Sequence, residues 1–260
     1  MRHRYLLGLF ALGLFGCSES TGSGLITFSA SAAGPEGATI GPPYVFENAM
    51  GYHVELERAQ LTIGAVYLNR FRPSLGAQET PCMLPGAYVA EVTSGAVIDA
   101  LSPELVEFDV QGRGTLDRAL TGEVWLTGAR IDATSDDTSI LEVAGKAIRG
   151  VAVFGFHGVI TISQNRAASS PDPATPGANP LCKQRIVTPI PIDITPSNAG
   201  HLELRVDPKV WFADVDFAQL PFAVGQGETT EIPDSNDNVA ALSLYRGLRS
   251  VAGYRFAWEP

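Results

Sequence analysis

Gly51-Tyr52-His53-Val54-Glu55-Leu56-Glu57-Arg58-Ala59-Gln60-Leu61-Thr62-Ile63-Gly64-Ala65-Val66-Tyr67-Leu68-Asn69 is the stretch that decides the fold. Tyr52, Val54 and Leu56 alternate with His53, Glu55 and Glu57, and Leu61, Ile63 and Val66 carry the apolar series on toward Tyr67 and Leu68. A period of two is the signature of strands with one face buried, because successive side chains of a strand point to opposite sides. We read two strands here, with Gly64 as a bulge or bend.

The same alternation recurs over residues 87–93, 106–110, 122–132 and 186–194, and again over 201–206, 210–217 and 251–258. Residues 148–163 are more uniformly apolar and interrupted by Gly150, Gly155 and Gly158, which predicts a hairpin or a bent central pair. About ten strands separated by Gly and Pro turns predict an all-β protein, a β-sandwich or jelly roll, with a barrel as the competing closure. One short helix is expected over residues 236–250. Asp234 or Asn236 would cap it, and Val239, Leu242, Tyr245 and Leu248 would follow at helical spacing, with Gly247 weakening the last turn. Residues 167–179 read as a Pro-rich loop. Nothing divides residues 25–260, so a single domain is expected there.

The chain has 260 residues, 45% of them hydrophobic and 18% charged, with 27 Gly and 18 Pro. That apolar content excludes a disordered, highly charged chain. The formal charge is −10, and an acidic surface argues against a nucleic-acid partner, whose phosphates need a basic face.

Residues 1–16 read as a signal peptide: Arg2, His3 and Arg4 precede an apolar run from Tyr5 to Phe15 that is too short to span a bilayer. Leu14-Phe15-Gly16-Cys17 resembles the lipobox of bacterial lipoproteins, with Phe15 bulkier than the pattern usually carries. The resemblance implies cleavage before Cys17, a thioether-linked diacylglycerol on its sulfur and a further acyl chain, such as palmitate, on its nitrogen. The membrane is then a partner through the lipid. Ser18 after the cysteine implies export to the outer membrane of the cell envelope. Residues 17–24 form the lipidated, flexible tether. Loss of Arg2 and Arg4 takes the formal charge from −10 to −12, and an acidic body is expected to stand off an anionic membrane. The oxidising compartment so implied makes a disulfide between Cys82 and Cys182 the expected state of the two remaining cysteines.

The chain contains no Gly-rich phosphate loop, Gly-x-Ser-x-Gly elbow or His-Glu-x-x-His helix, so a non-catalytic binding or structural role is expected, with no cofactor. Three further readings remain open. His53-Val54-Glu55 and His201-Leu202-Glu203 each place a His and a Glu on one strand face. If the two strands were neighbours, four ligands suited to zinc or copper would converge, with Met50 or His157 as an extra one. Asp234-Ser235-Asn236-Asp237-Asn238 is oxygen-rich like a calcium loop, with Asp234, Asn236 and Asp237 as ligands, although helix capping accounts for the same residues; Asp207, Asp214 and Asp216 add to the acidity nearby. The spare carboxylates and the β architecture also suit a carbohydrate-active enzyme or sugar-binding module. Trp125, between Val124 and Leu126, reads as core. Tyr254, Phe256 and Trp258 share one face of the last strand, a core row by preference and a sugar-stacking platform otherwise.

Overall fold

A computed structural model describes residues 24–71, 87–126, 136–162, 185–221 and 229–260. Cys17, Cys82 and Cys182, the signal peptide, the tether up to residue 23 and the Pro-rich loop lie outside the described residues.

The protein is mostly β, as the alternation predicts. Fourteen strands are present among the described residues: β1 (Leu25–Ala33), β2 (Tyr44–Glu47), β3 (His53–Asn69), β4 (Tyr88–Val92), β5 (Ala96–Asp99), β6 (Val106–Glu107), β7 (Gly112–Thr115), β8 (Ala119–Leu126), β9 (Asp136–Arg149), β10 (Ala152–Ile162), β11 (Ile186–Ile194), β12 (His201–Val206), β13 (Thr229–Ile232) and β14 (Tyr254–Glu259). All belong to one mixed sheet, with the order β13-β10-β9-β3-β4-β7-β1-β12-β14 along its main path. The β1–β12 and β10–β13 pairs are parallel, and the remaining pairs are antiparallel.

Where two strands are expected over residues 51–69, there is a single strand of 17 residues. It reconciles both expectations by bending. Its first half, up to Leu61, pairs with β9, and from Ile63 its partner on that edge is β8, with a register break between Ile63 and Ala65 that falls on Gly64. Its other edge carries β2, β5 and β4 in succession. Gly95, beside β5, supports the close approach: a Cβ there would stand 2.9 Å from the Ile63 carbonyl oxygen.

The bend makes β3 common to two lobes. In the first, Phe46, Tyr52 and Phe156 face Phe212 and Phe217, with ring centroids 5.2 Å apart for Tyr52–Phe217 and 4.9 Å for Phe156–Phe217. In the second, the path β11-β8-β3-β4-β7-β1-β12-β14 rolls up until β14 packs beside β11, and the Phe256 ring fills the space where Gly122 of β8 has no side chain. The buried residues of both lobes form one continuous cluster from Ile26 to Phe256.

Two expectations change. Residues 210–217 are not a strand. They comprise the end of α1 (Pro208–Trp211), turns, and the start of a 3-10 turn (Phe217–Gln219). Asp207 caps the first by accepting from Lys209 N at 3.0 Å, and Asp216 caps the second through Ala218 N at 3.2 Å. The alternation misleads because Trp211, Phe212 and Val215, all fully buried, also satisfy a helical spacing. The hairpin expected within residues 148–163 turns at its very start, at Gly150 with φ +62°, and pairs β10 with the longer β9. The C-terminal helix, α2 (Val239–Leu248), is where the sequence places it, but Asn238 caps it, accepting from Ala241 N at 2.9 Å. Val239 is exposed; the buried stripe is Ala240, Ala241, Leu244, Tyr245 and Leu248.

Candidate functional site

In the second lobe, the residues of β3 that alternate with Val66 and Leu68 lie on the opposite face of the strand, with Tyr67 partly exposed there. Register places Glu123 of β8 and Glu91 of β4 on either side of Tyr67, then Arg113 of β7 opposite Glu91 and Thr27 of β1 opposite Arg113. Side chains directly across an antiparallel pair are close enough to interact, so this row runs over five strands. Asn69 lies opposite both Thr121 and Tyr88, one pleat further along.

Three rings gather there. The Tyr67 ring centroid is 4.9 Å from that of Tyr88 and 5.3 Å from that of Trp125, both tilted. Beneath them Glu123 is 3% exposed and Asn69 2%. Asn69 Nδ2 donates to Glu123 Oε1 at 2.8 Å, and Trp125 Nε1 donates to Oε2 at 3.4 Å. Asn69 Oδ1 is buried and lacks a hydrogen-bond partner among the described residues. An orphaned acceptor of this kind costs about 1–3 kcal/mol unless water or a ligand supplies a donor.

Burial pushes the Glu123 carboxyl up to about 7, against the hydrogen bonds from Trp125 and Asn69 that favour its charged form. Burial also pushes the Tyr88 phenol up to about 12, followed by the charge of Glu123 and the neighbouring Tyr67 and Glu91. Tyr67 is raised by burial, then by Glu91 and Glu123. All three groups are therefore neutral or half-neutral near pH 7. Beside the rings the same face dips into a depression of about 510 Å3 lined by Thr27, Glu91, Thr93, Val110, Gln111 and Arg113. Flat apolar rings, a buried carboxyl donor–acceptor and an open polar depression can hold a ligand with an apolar face and many hydroxyls.

Trp125 is thus not core: it is half-buried on the outward face, because period two sets it opposite to Val124 and Leu126. Tyr254 and Phe256 are core, and Trp258 packs edge-on against Phe28 with centroids 5.1 Å apart, so that row is no stacking platform.

The two His-x-Glu pairs are not brought together. β4, β7 and β1 lie between the strands that carry them. His53 Nδ1 is 2.8 Å from Glu47 Oε1, and Glu55 takes Lys146 Nζ at 2.9 Å. His201 is held by two hydroxyls, Ser29 Oγ on Nδ1 and Ser31 Oγ on Nε2, both at 2.7 Å. Glu203 is nearly buried and ion-paired with Arg205, whose NH1 donates to the carbonyls of Gly34 and Pro103. His157 is exposed on β10, and no metal-binding group of three or more His, Cys, Asp or Glu occurs among the described residues. Replacing His201 by alanine should therefore act on the β1–β12 seam, lowering stability by about 1 kcal/mol in urea titration, the usual net value of hydrogen bonds at a part-exposed site.

The calcium candidates divide in the same way. Asp234 Oδ2 accepts from both the backbone N–H, at 3.1 Å, and the hydroxyl of Thr161, fastening the segment before α2 to β10. Asp237 N donates to Ser235 Oγ at 3.1 Å in a local turn, and Asn236 stands between them.

The chain matches no family, curated protein or solved structure with which it was compared.

Proposed function

We propose that this chain is a lipid-anchored protein of the bacterial cell envelope, carried at the outer membrane on Cys17, whose role is to bind a glycan without altering it. The anchor reading is supported by Leu14-Phe15-Gly16-Cys17 and the basic and apolar residues before it. The binding reading is supported by one observation above all: Tyr67, Tyr88 and Trp125 gather over the buried Glu123 carboxyl, beside a polar depression of about 510 Å3. A pyranose ring offers an apolar face of C–H groups to stack on such rings, and hydroxyls to bond with Glu91 and Arg113 of the polar depression beside them. Recognition is the reading favoured, because Glu123, held between Asn69 and Trp125, is too deeply buried to meet a glycosidic bond.

An array of neutral bacterial and plant polysaccharides tests it. Wild-type protein is expected to bind at least one of them, and Tyr67→Ala and Trp125→Ala to weaken that binding at least tenfold, an effect of about 1.4 kcal/mol. Reducing-sugar release on incubation would move the reading to a hydrolase, and silence across the array would end it.

A further inference from the structure

The described chain enters the sheet at Leu25, and around that entry adjacent strands expose large apolar side chains. Leu25 is 90% exposed, Phe71 60%, Leu116 52% and Tyr88 47%. Their proximity follows from register. Leu25 of β1 pairs with Thr115 at the end of β7, the residue before Leu116. The β4–β7 pairing of Ala90 with Gly114 carries Tyr88 opposite Leu116, and Tyr88 pairs with Asn69, two residues before Phe71. The four thus line one end of β1, β7, β4 and β3, neighbours in that order, over about 15 Å at the usual strand spacing.

Among the described residues, the charges along this end cancel in pairs. Arg70 NH2 lies 2.6 Å from Asp117 Oδ2, and Arg118 NH2 lies 2.5 Å from Asp193 Oδ2. An acidic body beside an anionic membrane is repelled as a whole, so it turns toward the bilayer whichever end is least charged and most apolar. The tether limits the choice. Eight residue steps separate Cys17 from Leu25 and span at most about 28 Å fully extended, whereas the apolar β9–β10 tip at Val151 lies beyond the far end of the 17-residue β3.

We infer that the end of the sheet bearing Leu25, Leu116 and Phe71 rests on the lipid bilayer, its aliphatic and phenyl groups entering the interface, while the Tyr88 ring stays in its cluster with Tyr67. Only this rim touches the membrane; the remaining acidic surface stands off it, as the net charge requires. The inference rests on the lipid-anchor reading of Cys17.

The test uses the full-length acylated protein in vesicles of phosphatidylethanolamine and phosphatidylglycerol with brominated acyl chains, which quench nearby tryptophan. Phe71→Trp and Leu116→Trp report on the rim, and Val151→Trp on the opposite end. Wild type and all variants are expected to float with the vesicles, with quenching beyond that of wild type in the two rim variants and none added by Val151→Trp. Flotation with no added quenching at the rim, or with more at Val151→Trp, overturns the membrane-facing rim and leaves the anchor standing. Failure of the wild type to float, or equal flotation of Cys17→Ser, overturns the anchor reading and this inference with it.

Discussion

At pH 8, Glu123→Gln is expected to raise the free energy of unfolding by about 3 kcal/mol, and at pH 4.5 to leave it nearly unchanged. The carboxyl sits at about 7 in the folded protein against 4.5 ordinarily. A shift of that size corresponds to roughly 3 kcal/mol at about 1.4 kcal/mol per unit. The sign follows from proton counting. Between pH 4.5 and 7 the folded state binds more protons at this site than the unfolded chain, so the wild type loses stability as pH rises through that window and stays lower above it. Glutamine keeps the shape, carries no charge to bury, and is indifferent to the window. Urea denaturation of both proteins at pH 4.5, 6 and 8 checks it; parallel curves at every pH would show that Glu123 is not the group responsible. The same window bears on binding. A protonated Glu123 brings a donor to a cluster in which Asn69 Oδ1, an acceptor, has no partner among the described residues.

Gly247→Ala should destabilise the protein by about 2 kcal/mol, against the usual rule. In a helix interior the exchange ordinarily gains about 1 kcal/mol from backbone entropy. Here a Cβ on Gly247 would stand 2.2 Å from the Trp211 carbonyl oxygen and 2.8 Å from its Cα. Those are backbone atoms of α1, and Trp211 is fully buried, so neither helix can yield without disturbing the core. Overpacking of this kind costs about 1–3 kcal/mol and occasionally more. Thermal melting should show a midpoint lower by several degrees. Val239→Ala, at the exposed start of the same helix, should leave it level or slightly higher; a rise in both would mean that α1 and α2 are not packed as described.

Much of this architecture is readable from one period. The alternation through residues 51–69 predicts the sheet, and Gly64 marks the place where β3 changes partners. β1 escapes the same reading because Ser-Ala-Ser-Ala-Ala at its end pairs weak strand formers. Ile26, Phe28, Ala30 and Ala32 do alternate into the core, but alanine carries little apolar signal. α1 escapes because four residues are too few to establish a helical period, and their stability comes from the Asp207 cap and from the core that Trp211 enters. α2 begins later than expected since Asp234, a good cap by type, is already taken by Thr161.

The site was legible in half. Glu123 and Trp125 share a face by period two, and a glutamate inside Thr121–Leu126, where every other neighbour is apolar, small or hydroxylic, is a signal. Reading Trp125 as core from the apolar residues on either side overrides that same period. What no local pattern carries is that β8 closes against β3, more than fifty residues earlier in the chain, so that Asn69 and Tyr67 arrive beside Glu123. The His-x-Glu pairs show the converse: identical local patterns on strands that long-range pairing keeps apart.

β3 is also where cooperativity resides. Five strands, β2, β4, β5, β8 and β9, hydrogen-bond to it, so neither lobe can open while the other keeps its edge of the shared strand. Amide deuterium exchange along β3 should accordingly be the slowest in the molecule, reporting the opening of the whole sheet, while the four-residue β13 at the far edge exchanges by local fraying. A chain built this way has no detachable half: a truncation that keeps one lobe leaves a seam of unpaired β3 amides, and sheds the order of both.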